Sequence, residues 1–271
     1  MSLFDLSGKV AVVTGSTKGI GLGIAREMAA AGARVVVASE SQDDCDAVAA
    51  ELNRDYGKGA EIAKALAFDL TDLASVEAFA AKAPTLFGGL DILVCNAAVM
   101  AWPGPPEQTP PAVFDQLLSA NIHHNYRLCI GVRAAIAARG GGSIVLIGSG
   151  AGLSPHPQFV SYSVAKAGVA HLAWNLAQAM APDGIRVNCV APGLIRSFTT
   201  LTLMGDDGLA QAGQSIPLGR VGRPEDIAGA VIFLASTAGA FVTGETISVD
   251  GGTSRLTVEA NPLTAGIGAR T

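Results

Sequence analysis

Charge is scarce in this sequence. Asp, Glu, Lys and Arg make up 15% of its 271 residues, with 23 acidic against 18 basic side chains and a formal net charge of −5. That balance leaves no basic footprint and excludes nucleic acid as a partner. A surface so poor in charge, in a chain of mean hydropathy +0.40, points to apolar area covered by other subunits. Cysteine is equally sparse: Cys45, Cys95, Cys129 and Cys189 lie far apart and never form C-x-x-C. This excludes a zinc pattern or a disulfide framework, suits a reducing cytoplasm, and leaves the four thiols as small buried hydrophobes. No uninterrupted apolar run reaches the roughly 18 residues of a membrane span. Met1–Val13 has no basic stretch before its short apolar run, so it is expected to be a first strand rather than a signal peptide. There is no fixed-period repeat, no low-complexity tract and no His/Cys/Asp/Glu cluster of metal-binding spacing.

Apolar residues (49%) and glycine (33 residues) are abundant. At about 150 residues per domain the length allows two domains, but α/β chains of this size often stay single. One domain is expected over residues 1–252, with a tail of little periodicity over 253–271. Short β-branched runs read as strands at Lys9–Thr14, Arg34–Ala38, Ala63–Phe68, Asp91–Cys95, Ser143–Gly148, Ile185–Val190 and Thr246–Val249. Helical spacing separates them at Gly19–Ala31, Asp43–Tyr56, Asp72–Phe87, Ala112–Arg139, Val160–Met180 and Pro224–Ala235, with a Pro-rich loop at Trp102–Pro111. Strands that are apolar on both faces and alternate with helices predict a doubly wound, mostly parallel seven-stranded α/β sheet with helices on both faces.

The first strand runs into Thr14-Gly15-Ser16-Thr17-Lys18-Gly19-Ile20-Gly21 and then a helix. Glycines let the backbone turn tightly and approach a pyrophosphate, and the helix N-terminus offers free N–H groups to that anion. Three glycines in a βα turn are a weak signal alone; the strand-loop-helix context strengthens it. The spacing resembles the T-G-x-x-x-G-I-G motif of the short-chain dehydrogenase/reductase family, a Rossmann-type fold. The similarity extends from Leu6 to Gly252. Phe68-Asp69-Leu70 stands where the family contacts adenine. Asn96-Ala97-Ala98 resembles its N-A-G turn, with Ala98 replacing Gly. Pro192-Gly193-Leu194-Ile195-Arg196-Ser197 resembles its nicotinamide-holding P-G-x-I-x-T segment, with Ser197 keeping the hydroxyl of Thr. The resemblance implies NAD or NADP as cofactor, bound by Gly15, Thr17, Lys18, Gly19, Ile20, Gly21, Ser39, Glu40, Asp69, Leu70, Asn96, Ala97, Tyr162, Lys166, Pro192, Gly193, Ile195 and Ser197. The choice between the two dinucleotides is mixed. Ser39 lacks the carboxylate that favours NAD, while Lys18 would suit NADP. Glu40 would repel a 2′-phosphate, which tilts the expectation to NAD.

Tyr162 and Lys166 are spaced i, i+4 on a predicted helix and so share a face. Reducing a ketone by hydride needs a proton for its oxygen, and oxidising an alcohol needs that proton removed. A phenol, with an ordinary pKa near 10, serves this role best beside an ammonium and a cationic ring. Any Y-x-x-x-K in a helix meets this spacing, so the pair alone says little. Ser149 lies thirteen residues before Tyr162, at the end of a predicted strand, where open α/β sheets bind ligands. The resemblance makes Ser149 the holder of the substrate oxygen, Tyr162 the general acid/base, and Lys166 its partner and the ligand of the ribose. It makes Asn121 a helix-kinking support of the proton relay; spacing alone reads Asn121 as an incidental polar residue.

His123, His124 and His171 read as ordinary helix residues, and His156 as a loop residue near the substrate. Met100, Trp102, Leu153, Phe159, Phe198, Leu201, Leu203 and Met204 fall on loops after the strands and predict a mostly apolar small-molecule substrate, with Arg196 the one candidate to bind a carboxylate. The segment around 194–216 is expected to be a lid. Ile216–Arg220 and Pro224–Asp226 resemble the family's subunit-packing region, which implies a homo-oligomer, a tetramer. The expected activity is a cytoplasmic alcohol dehydrogenase or ketone reductase acting on a secondary alcohol/ketone. Two alternatives share the scaffold: a catalytically silent dinucleotide-binding regulator, and a dehydratase or epimerase without net cofactor turnover.

Overall fold

A computed structural model describes residues 2–100 and 104–254. Trp102 and the tail beyond Ser254 lie outside the described residues. The chain alternates β1 (Val10–Thr14), α1 (Gly19–Ala30), β2 (Arg34–Ala38), α2 (Gln42–Tyr56), β3 (Ala63–Ala65), α3 (Leu73–Lys82) and β4 (Ile92–Cys95). Then come α4 (Pro111–Leu118), a π-helical turn (Ser119–His124), α5 (Asn125–Ala137), β5 (Gly142–Ile147), α6 (Val160–Met180), β6 (Ile185–Pro192), α7 (Phe198–Gly213), α8 (Pro224–Ala235) and β7 (Thr246–Val249). The seven strands form one sheet in the order β3-β2-β1-β4-β5-β6-β7, and every pairing is parallel.

β1 shows why this sequence makes a two-faced sheet. Val10 and Val12 pack with Phe79 of α3, Leu128 and Val132 of α5 and Val169 and Leu176 of α6. Ala11 and Val13 point the other way, into a core with Ile24 and Met28 of α1, Leu52 of α2 and Val231 of α8. Successive strand residues face opposite sides, so a run with no polar alternation has both faces buried. Truncating a residue such as Leu128, fully buried here, to Ala would cost roughly 2–5 kcal/mol.

The helices begin where side chains receive their free N–H groups. Ser41 accepts from Asp44 at 3.2 Å, and Asp72 accepts from Ala74 at 3.0 Å. At the strand ends remote from the cleft, the buried Asp91 carboxylate is satisfied by Val10 N–H at 2.9 Å and Arg139 at 3.1 Å, which ties β1 to β4 and α5.

Four elements differ from their sequence pattern. Phe198, Leu201, Leu203 and Met204, expected on loops, lie on the helix α7. The expected helix Ala112–Arg139 is interrupted by the π-helical turn. α3 stops at Lys82, because Pro84 lacks the N–H that an α-helix would need and a 3₁₀ turn follows. β3 ends at Ala65, although Leu66 and Phe68 still donate to Val37 and Ser39 of the β2 edge.

From β1 the chain winds outward to β2 and β3, and from β4 it winds the other way. The crevice beyond the C-terminal ends of β1 and β4 is therefore the topological switch point, where open α/β sheets take ligands.

Candidate active site

A cleft of about 510 Å³ opens at that switch point. The glycine loop forms one wall. Gly15 and Gly19 have φ of 63° and 58°, a left-handed backbone that glycine adopts without strain. A Cβ on Gly21 would run into the Gly15 carbonyl and the Asn96 amide. The loop is stitched to β4 by Thr14, whose Oγ1 accepts the N–H groups of Asn96 and Ala97, both at 3.0 Å. Asn96 Nδ2 returns bonds to the carbonyls of Thr14 at 2.9 Å and Gly15 at 3.1 Å. No side chain caps the start of α1 at Lys18, so its first-turn N–H groups remain available to an anion.

The next wall follows β2 and β3. Ser39 and Glu40 line it, and Thr17 Oγ1 donates to Ser39 Oγ at 3.1 Å. Asp69 and Leu70 line it as well; Asp69 Oδ1 accepts from the Thr71 N–H and hydroxyl, both at 2.7 Å. Phe68 stacks on Phe79 at 4.4 Å between centroids and anchors this loop to α3.

The third wall follows β5 and carries the reactive groups. Ser149, Tyr162 and Lys166 all face the cleft. Ser149 Oγ accepts the Ala151 N–H at 3.1 Å, and Ser163 Oγ donates to the Ala151 carbonyl at 2.6 Å, so the turn after β5 is held against α6. Lys166 is 4% exposed; its Nζ donates to the Ile147 carbonyl at 2.8 Å and stands 5.7 Å from the Tyr162 ring centroid. Pro192, Ile195 and Ser197 complete the rim, and Ser197 and Thr200 form a reciprocal capping box at the start of α7.

Other expected site residues sit elsewhere. Asn121, fully buried in the π-helical turn, stands behind the cleft. Its Oδ1 accepts the Val99 N–H at 2.9 Å and its Nδ2 donates to the Val99 carbonyl at 3.1 Å. Gly193 lies beneath the rim, its N–H donating to Val249 at 3.0 Å. Of the apolar residues expected at the substrate, Met100, Phe198 and Leu203 line the cleft. Leu201 lines a neighbouring groove, and Leu153 and Met204 are exposed outside the cleft wall.

Arg196, the candidate for a carboxylate, faces that neighbouring groove with Arg26 and Arg223 and pairs with Asp206 at 2.6 Å. The expected lid is α7, kinked at Gly205 where φ is 65°. His156 bonds only within its own loop, and His124, read as an ordinary helix residue, is buried with a bond to Leu70. Thr14 stood in the sequence only as the first residue of the glycine motif and His124 as a helix residue; their bonding partners, 82 and 54 positions away, had no signal there. Among the described residues, no group of three His, Cys, Asp or Glu could hold a metal, and no helix is long and apolar enough to cross a membrane.

A family model described as Enoyl-(Acyl carrier protein) reductase matches residues 15–254. The chain belongs to the short-chain dehydrogenase/reductase family. This is a family of oxidoreductases acting on CH–OH and C=O groups. Dehydrogenase/reductase SDR family member 4 of Bos taurus is 40% identical over 248 residues, covering 91% of this chain and 88% of the relative. A 7α-hydroxysteroid dehydrogenase solved with NADH and 7-oxo glycochenodeoxycholic acid is 35% identical, with a TM-score of 0.85 over 92% of this chain and 95% of its own. The RhlG/NADP complex of Pseudomonas aeruginosa is 33% identical, with a TM-score of 0.85 over 94% of this chain and 99% of its own. Short-chain dehydrogenase/reductase neighbours of this chain therefore include both NADH and NADP complexes.

Proposed function

We propose that this chain is a nicotinamide-dependent oxidoreductase that interconverts a mostly apolar secondary alcohol and its ketone, with Tyr162 as general acid/base. One observation carries this reading: Ser149, Tyr162 and Lys166 wall the same cleft as the glycine loop. The cleft suits a dinucleotide, since Gly21, with no Cβ to strike the Gly15 carbonyl and the Asn96 amide, lets the loop turn tightly, and the uncapped start of α1 faces the same space.

A nicotinamide held beside Tyr162 and Lys166 would supply the hydride for reduction and accept it in oxidation. On reduction the Tyr162 hydroxyl gives its proton to the substrate oxygen; on oxidation the phenolate takes it back. Ser149 Oγ already accepts from Ala151, so its own proton is free to donate to that oxygen. Lys166 uses one proton on the Ile147 carbonyl and keeps two for ribose hydroxyls beside the phenol. Asn121 supports the relay by fixing Val99, a residue of the cleft wall.

Glu40 on the adenosine side favours NAD over NADP, since its carboxylate would face a 2′-phosphate. Met100, Phe198 and Leu203 favour an apolar substrate. Residues 1–252 act as one dinucleotide-binding and catalytic unit, closed by a lid over about residues 194–216. Phe241, Leu218 and Trp174 stand exposed, apolar surface that a homotetramer would cover. Four unbridged cysteines suit a cytoplasmic setting.

The test is purified protein with NADH or NADPH and a panel of ketones, and with NAD or NADP and the matching alcohols, followed by absorbance of the reduced nicotinamide. Turnover with apolar ketones is expected. Tight cofactor binding with no turnover across the panel would favour a silent dinucleotide-binding protein, and substrate conversion without net cofactor change a dehydratase or epimerase.

A further inference from the structure

His124 closes the π-helical turn that carries Asn121, and it is only 7% exposed. Its Nδ1 lies 2.6 Å from the Leu70 carbonyl. A carbonyl can only accept, so Nδ1 carries the proton and donates it. Leu70 belongs to the loop after β3 and walls the cleft. Three residues earlier in the same turn, Asn121 holds the N–H and the carbonyl of Val99 in the loop after β4, another wall.

The π geometry makes this double hold possible. In an α-helix, residues three apart share a face. The wider turn separates them, so Asn121 reaches one loop and His124 the other. Asn125 Nδ2 donates to the carbonyls of Ala120 at 3.4 Å and Asn121 at 3.1 Å, which steadies the widened turn from within.

We propose that His124 is a positioning residue for the adenosine half of the dinucleotide: by fixing the Leu70 peptide from behind, it holds the Asp69–Leu70 wall in its binding shape. The inference rests on the dinucleotide reading above. Without the imidazole, the carbonyl of Leu70, a residue 8% exposed, loses its donor and the loop gains freedom that adenosine binding must remove.

The two halves of the cofactor separate this role from general support of the fold. Binding of 5′-AMP is measured by calorimetry on the full chain, and turnover is measured with reduced nicotinamide mononucleotide as hydride donor. In His124→Leu the 5′-AMP dissociation constant should rise roughly 5- to 10-fold, while His124→Asn, which keeps an N–H donor, stays within about 2-fold, as does mononucleotide turnover in both variants. Unchanged 5′-AMP affinity in His124→Leu overturns the proposal, and so does an equal loss on both halves.

If His124→Leu does not fold, the imidazole ¹⁵N–¹H spectrum of the wild type decides. A His124 proton on Nδ1 that shifts with 5′-AMP, and not with nicotinamide mononucleotide, supports the proposal. A proton on Nε2 alone, or no response to 5′-AMP, overturns it. A wild type that binds neither 5′-AMP nor reduced dinucleotide would overturn the dinucleotide reading itself, and this proposal with it.

Discussion

The Lys166 ammonium and the Tyr162 phenol meet on one face of α6, with Nζ 5.7 Å from the ring centroid and anchored 2.8 Å from the Ile147 carbonyl. The anchor matters because a lysine side chain has many rotamers, and a carbonyl partner in a buried site leaves few. The charge is therefore held beside the phenol rather than arriving by chance. Tyr162→Phe should keep reduced-nicotinamide binding within about 2-fold, because only the hydroxyl is removed, while turnover falls by roughly 10²- to 10⁴-fold. Lys166→Met should lose both, since it strips the Ile147 carbonyl of its donor and removes the N–H groups offered to the ribose. Steady-state rates paired with fluorescence titration of reduced cofactor separate the two patterns. A Tyr162→Phe enzyme with near-normal turnover would remove the phenol from the mechanism.

A second consequence concerns pH and lies at the start of α8. Asp226 accepts two bonds from Arg220, at 2.7 and 2.9 Å, and a third from the Arg223 N–H at 2.7 Å. The Arg220 guanidinium lowers its pKa from an ordinary 3.8 to about 2. A carboxyl depressed on folding stabilises the native state fully above its ordinary pKa, and that contribution disappears as pH falls through the lower value. The Asp226 side chain is 33% exposed, so solvent screening keeps its worth modest. Asp226→Asn should lose about 1 kcal/mol near pH 7, and its gap to wild type should shrink as pH falls from about 4 towards 2. Urea unfolding across that range measures the gap, and a constant difference would contradict the linkage.

Much of the fold was legible because strands such as Val10–Thr14 carry no polar alternation, which only a sheet buried on both faces tolerates. That Gly15, Asn96 and Ser149 would line one cleft was legible because each sits at or just past the C-terminal end of a strand, so topology brings them together. The π-helical turn was legible only through the family resemblance, which makes Asn121 a helix-kinking residue, and not in the residue pattern itself. Apolar spacing over Ala112–Arg139 is compatible with a continuous helix, and one extra residue per turn leaves no mark in it. The arginine-lined groove was not legible, because Arg26, Arg196 and Arg223 come from three separate elements and are gathered only by folding. The apolar residues expected together at the substrate are divided between two cavities for a similar reason. Leu201 and Leu203 are two apart in sequence, yet on the helix α7 they face different cavities.

The cysteines offer a third check. All four are buried. Burial pushes the thiols of Cys45 and Cys189 up to about 11. A hydrogen bond between the Cys95 and Cys129 thiols, with sulfurs 3.8 Å apart, holds the Cys95 pKa well above its ordinary value, and burial adds to this. Because the thiolate is the nucleophile, the folded protein should react only slowly with an aromatic disulfide reagent near pH 8, whereas denaturant should release all four thiols at once. A rapid stoichiometric reaction in the native state would show that one of these sites opens to solvent.

The sharpest expectation concerns the choice of dinucleotide. Ser39 and Glu40 wall the cleft directly after β2, while Lys18 places its ammonium 5.4 Å from the centroid of the Phe198 ring on α7. A 2′-phosphate entering there would meet the Glu40 carboxylate and would need Lys18 to leave the aromatic ring. At an effective dielectric near 20, two like unit charges about 4 Å apart repel by about 4 kcal/mol before salt screening. About 1.4 kcal/mol of that repulsion would give a tenfold preference for NAD. Glu40→Arg reverses the charge and adds a planar donor suited to phosphate, so the NADPH-to-NADH ratio of kcat/KM should rise at least about tenfold. The gain should shrink as added salt shortens the Debye length below the roughly 8 Å of physiological buffer. Rates with both reduced cofactors at low and high ionic strength test both parts. A ratio unmoved by the substitution would mean that Glu40 does not face the ribose.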